Sequence, residues 1–137
     1  MHIYIDTIAH SEQRYPTVGD WQFTAEGGGG QRGTPVEGPV LHIAVSEMKN
    51  ADYEFLVGLH EMIEAYLCHK RGIREEDVTA FDKMFEAHRA EGNTDEPGNH
   101  ILAPYRKEHF FATSIERLVA AELNVDWNEY DKTVVNL

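Results

Sequence analysis

The chain holds a single cysteine, Cys68, in 137 residues. That excludes an internal disulfide and fits a reducing compartment. Basic residues are also scarce: 12 Lys and Arg stand against 24 Asp and Glu, a formal net charge of -12. Proteins that hold nucleic-acid phosphates draw affinity from basic patches, so the balance argues against direct nucleic-acid binding. No stretch approaches the roughly 20 apolar residues of a membrane-spanning helix. The segment Met1 to His10 carries neither a basic leader nor a long apolar core, so no secretory signal is expected and the cytoplasm is the expected location. The acidic balance leaves three uses: solubility, a site that holds a cation, or an acidic surface that competes with nucleic acid for a basic partner.

What is present is the composition of a folded globule, 42% apolar with two tryptophans, six tyrosines and six phenylalanines. The length predicts one domain, residues 1–137, with a strand-rich part at 1–46, a helical part at 52–124 and a tail at 125–137 packed on the body. Ile3 and Ile5 alternate with polar neighbours, predicting a strand over His2 to Ile8; Trp21 to Ala25 and Val40 to Val45 read as two more. Between them Gly27 to Gly30, with Gly33 and Gly38, reads as a flexible linker, since the Lys-Ser/Thr of a phosphate-binding loop is missing. Helical spacing begins at Asp52 and runs to about Arg71, where Gly72 stops it. Further helices are predicted over Arg74 to Ala90 and from Pro104 to Leu123. Strands first and helices after predict an α+β domain: a small antiparallel sheet of about three strands on about three helices.

One stretch of the first long helix carries chemistry. His60-Glu61-Met62-Ile63-Glu64 places a histidine and a carboxylate one turn apart with a second carboxylate between them. In zinc hydrolases a helix bearing His-Glu-x-x-His aims residues i and i+4 at the metal, and the Glu at i+1 is general base towards a metal-bound water. Here Glu64 stands where the second histidine would be. At 100° per residue, Leu56, Leu59, Ile63 and Leu67 lie to one side of His60, and Val57, Glu64 and Cys68 to the other. His60 and Glu64 therefore belong to the apolar face, where an ionised carboxylate needs a partner or a cation. Glu61 falls at the edge of that face.

A metal would need a third ligand from elsewhere in the fold. His109, early in the third helix, is the leading candidate, with Ala112, Thr113 and Glu116 on its face. Glu116 can serve as a partner that fixes the imidazole tautomer or as a ligand itself. His100, in the loop Gly98-Asn99-His100, is a weaker alternative. Cys68 reads as core packing, His69 points to the opposite face, and His2, His10, His42 and His88 have no motif around them.

The pair of segments His60-Glu61-x-x-Glu64 and His109-Phe110-Phe111-Ala112 resembles the zincin metallopeptidases, particularly the small ImmA/IrrE-like ones. In those, a short sheet precedes a His-Glu-x-x-His helix, and a later helix supplies a Glu in a Glu-x-x-Ala pattern. The second and third ligands look exchanged here, which keeps two histidines and one glutamate. The segments Tyr15 to Trp21 and Pro104 to Thr113 are also similar to those of small uncharacterised phage and prophage proteins, which places the cytoplasm as that of a bacterium or a phage's host. The zincin resemblance implies Zn2+ held by His60, Glu64 and His109, with Glu61 as general base in hydrolysis of a peptide or protein substrate. Tyr105 or Tyr66 would stabilise the oxyanion, and the strand Val40 to Val45 would pair with an extended peptide.

Two other functions compete. One is a non-catalytic acidic interaction protein, for instance a phage-encoded inhibitor of a host protein partner, with a structural metal or none. The other is a magnesium-dependent nucleotide pyrophosphohydrolase built on Glu61 and Glu64, for which the nearest second acidic pair, Glu122 and Asp126, has the wrong spacing.

Overall fold

A computed structural model describes residues 1–24 and 38–137. The glycine run at 27–30 and Gly33 lie outside the described residues. Three strands, β1 (His2–Ile8), β2 (Gly19–Thr24) and β3 (Val40–Ser46), are followed by four helices, α1 (Ala51–Lys70), α2 (Glu75–Ala87), α3 (Arg106–Glu122) and α4 (Trp127–Val135). The α+β expectation is met, with the sheet at the N-terminus. The tail expected to pack on the body carries a fourth helix, capped by the Asp126 side chain accepting from the Glu129 amide.

The sheet order is β1-β3-β2. β2 pairs with β3 antiparallel, as expected, but β1 runs parallel to β3, so the sheet is mixed. The chain leaves β1 through a short 3-10 turn at His10–Glu12, descends along β2 and returns up the middle as β3. An even number of reversals separates β1 from β3, and they must be parallel. The middle position explains the composition of β3: Val40, Leu41, Ile43 and Val45 are all essentially buried. It also corrects the expectation of peptide pairing on Val40 to Val45, because both edges of β3 are occupied by neighbouring strands.

α1 is the spine of the molecule, packed against the sheet and against α3. Asn50 caps it by accepting from the amides of Asp52 and Tyr53. Leu56, Val57, Ala65 and Cys68 join Trp21, Ile43 and Val45 in the core. β2 lies along α1 so that its odd positions meet the helix in sequence. Gly19 abuts Glu61, Trp21 reaches Glu64, and Phe23 stacks on His69 with ring centroids 4.7 Å apart. On the other flank, α3 approaches α1 through Ala112 and Ala120, and Arg71 clamps Glu108 at 2.7 Å. No described helix is long and apolar enough to cross a membrane.

Candidate metal centre

The middle of α1 faces the first half of α3, and there His60, Glu64 and His109 converge, all buried. His60 Nε2 lies 3.1 Å from His109 Nδ1 and 3.3 Å from Glu64 Oε2, and the latter two are 3.0 Å apart. Ligands at about 2.0–2.1 Å around a tetrahedral zinc sit about 3.3–3.4 Å from one another. The triangle thus has the size of one face of such a tetrahedron, and these three side chains can hold a metal ion.

Each member is oriented by a further group. His60 Nδ1 donates to Glu116 Oε2 at 2.8 Å, which turns Nε2 inward. Tyr130 of α4 donates to the other oxygen of Glu116 at 2.5 Å. The indole of Trp21 donates to Glu64 Oε1 at 3.0 Å, leaving Oε2 for the cluster. His109 presents Nδ1 inward, and its Nε2 has Glu96 Oε2 at 2.9 Å, a charge contact not aligned as a hydrogen bond. Gly98 allows this: a Cβ there would run into the His109 ring.

Electrostatics follow from burial and proximity. Burial opposes charge on both imidazoles, yet hydrogen bonds to Glu116 and Glu64 lift His60 well above its ordinary range, and contacts with Glu64 and Glu96 lift His109 to about 9. Burial also opposes charge on Glu64, but the two imidazoles win and draw it down to about 2. Glu61 has no such support. Burial, then the charge of Glu64, pushes its carboxyl well above the usual carboxylate range. Without a cation the cluster binds protons instead, and a divalent ion would displace them.

The cluster opens on a cavity of about 310 Å3. Glu61 lines it, half-buried, with its carboxylate against the Gly19 backbone, where a Cβ would collide. Tyr105 also lines it, but its hydroxyl donates to Asp82 Oδ1 at 2.5 Å and so is committed to that carboxylate. Tyr66 is exposed and does not line the cavity. Of the alternative third ligands, Glu116 bonds the far nitrogen of His60, and His100 is exposed against Phe81 and Phe85. Cys68 is buried in the core, its thiol pushed up by burial. Glu122 and Asp126 are exposed and away from the cavity, so they make no second acidic pair beside Glu61 and Glu64.

Sequence reasoning brought His60, Glu61, Glu64, His109 and Glu116 to this place. It missed Trp21, Glu96, Tyr130 and the close approach of Gly19 and Gly98. A capped amphipathic tail holding a tyrosine was a visible signal for Tyr130; for Trp21 and Glu96 the spacing offered none. No protein-family model, curated protein or solved structure matches the chain.

Proposed function

We propose that the protein is a zinc-dependent hydrolase of the zincin-like type, acting on an amide bond of a peptide or protein. The observation that carries the reading is the triangle of His60 Nε2, Glu64 Oε2 and His109 Nδ1, sized for a tetrahedral ion and open to a cavity on its free side. Structural zinc sites are closed by four protein ligands, whereas catalytic ones have three and an open position. Zinc in this place supplies Lewis acidity and a water of lowered pKa.

The remaining work falls to side chains. Glu61 lines the cavity one residue after the first ligand, and in this reading it accepts the proton released as the nucleophile attacks a carbonyl. Positive charge at the triangle offsets the burial and the repulsion from Glu64 that disfavour its ionised form. Glu116 and Trp21 keep the ligand atoms inward when the cavity is empty, so the site needs little reorganisation. β2 is an edge strand whose Gly19, Asp20 and Trp21 line the cavity, and an extended substrate would add to it by strand pairing. A cytoplasmic setting accords with a lone buried cysteine.

The rival, a non-catalytic acidic interaction protein, draws on the charge of -12. Elemental analysis of protein purified without added metal separates them. About one zinc per chain, lost to a chelator along with peptide hydrolysis, supports the hydrolase; no bound metal and no chelator effect on any property supports the rival.

A further inference from the structure

Asp82 of α2 is only 7% exposed and lines the same cavity as Glu61 and the metal triangle. Among the described residues its two oxygens accept from tyrosine hydroxyls: Tyr105 at 2.5 Å on Oδ1 and Tyr15 at 3.1 Å on Oδ2. No described lysine or arginine pairs with it. The neighbouring carboxylate is treated differently. Asp20, 3.4 Å from the same Tyr15 hydroxyl, is gripped by Arg14 through two bonds of 2.6 and 2.8 Å. Arg14 also leans towards Glu75, and Arg89, the arginine on the cavity wall, is held by Glu86 and the Asn93 carbonyl. Among the described residues, the arginines near the cavity are thus spent on other partners.

A buried carboxylate without a cation costs several kcal/mol, and a purely structural role between two hydroxyls could be filled by a neutral amide. Each Asp82 oxygen retains acceptor capacity after one tyrosine bond. The cavity that Asp82 lines is also lined by Val57, Val78, Tyr15 and Tyr105. Apolar and aromatic side chains beside Asp82, in a cavity also lined by Glu61, Glu75 and Glu86, suit an aliphatic stem with a positively charged head.

Resting on the hydrolase reading above, we propose that Asp82 anchors a subsite for a cationic side chain of the substrate, a lysine or arginine flanking the bond to be cleaved. The side chain enters the cavity lined by Val57 and Val78, and its head completes the tyrosine-bound carboxylate by a charge-assisted hydrogen bond. The subsite is separate from the metal: it requires Asp82 and the cavity, and no ligand of the triangle.

The test is a calorimetric titration of the full chain with two blocked pentapeptides, acetyl-Ala-Ala-Lys-Ala-Ala-amide and its counterpart with acetyl-lysine in place of lysine. Each titration is run on zinc-supplemented and on chelator-treated protein, with zinc content measured in the same samples. The proposal expects the lysine peptide to bind at least about tenfold more tightly than its neutral counterpart. Asp82→Asn, which keeps a tyrosine acceptor, should bring the two within about twofold. Equal affinities in the wild type, a preference that survives in Asp82→Asn, or no binding of either peptide at about 10 mM would overturn it. The wild-type comparison decides the matter even where the variant fails to fold. Should the samples prove free of zinc while the lysine preference persists, the metal reading fails and the subsite stands.

Discussion

His60 and Tyr130, seventy residues apart, hold the same carboxylate: Nδ1 of the imidazole donates to Glu116 Oε2 at 2.8 Å and the phenol donates to Oε1 at 2.5 Å. The C-terminal helix is thereby tied to the metal centre through one glutamate. Replacing outer partners of metal-bound histidines weakens metal binding by about 10–100-fold. Glu116→Gln should fall in that range, because it removes the charge that favours an inward Nε2. Tyr130→Phe should cost less, since Glu116 stays in place but loses its second donor. Zinc competition against a chromophoric chelator reads both values. Unchanged zinc affinity in both variants would separate Glu116 from the centre.

Glu61 contributes chemistry without contributing a ligand in the proposed arrangement. Glu61→Gln should lower peptide hydrolysis by about 10²–10⁴-fold, the usual range for a general base, and leave zinc content at the wild-type level. The neutral amide also removes the cost of protonating a carboxyl that burial and Glu64 hold well above its ordinary range, so the thermal midpoint of the metal-free variant should rise near neutral pH. Loss of zinc from the variant would instead make Glu61 a ligand.

The parts of this molecule that were legible in sequence are those fixed by local period. Alternation in His2 to Ile8, the apolar density of Val40 to Val45 and the helical face of Leu56, His60 and Glu64 each depend on neighbours within a few residues, and the elements appear where expected. The parallel pairing of β1 with β3 was not legible, because it follows from the path taken through β2 and not from either strand's composition. At the site, the His60 and Glu64 pair was readable from one turn of helix, and His109 from the small-residue face it shares with Ala112 and Glu116. Trp21 comes from β2, Asp82 from α2 and Glu96 from the loop between α2 and α3, and only tertiary packing brings them to the same cavity.

Gly98 illustrates the same dependence and is open to a direct test. Its Cα sits so close to the imidazole that a methyl group would overlap the His109 ring. Overpacking of this kind costs about 1–3 kcal/mol where neighbours can shift. His109 cannot shift freely, because Nδ1 is held by Glu64 at 3.0 Å. Gly98→Ala should therefore lower zinc affinity more than it lowers the thermal midpoint of metal-free protein. Gly92→Ala serves as a control, since it lies at positive φ with nothing near its Cβ position; it should cost stability alone. Equal effects of the two substitutions on zinc affinity would count against the packing argument.

Protons and metal compete for the same three atoms, and the sign of the pH dependence follows. In metal-free protein His109 is raised from 6.5 to about 9 because its contacts with Glu64 and Glu96 outweigh burial. A raised folded value means that its stabilisation is complete below about pH 6.5 and is lost as pH climbs through about 9. Glu64, drawn from 4.5 down to about 2, contributes fully above about pH 4.5 and loses that contribution as pH falls towards 2. These two groups therefore make metal-free protein most stable between about pH 4.5 and 6.5, with a decline from there to about pH 9. Zinc binding releases the imidazole protons, so its affinity rises over the same interval in which the metal-free fold weakens. Thermal midpoints measured from pH 5 to 9.5 with chelator and with saturating zinc should diverge steadily as pH increases. A zinc-induced increment that stayed flat across this range would show that the imidazoles carry no protons to displace, and would overturn the raised values of His60 and His109.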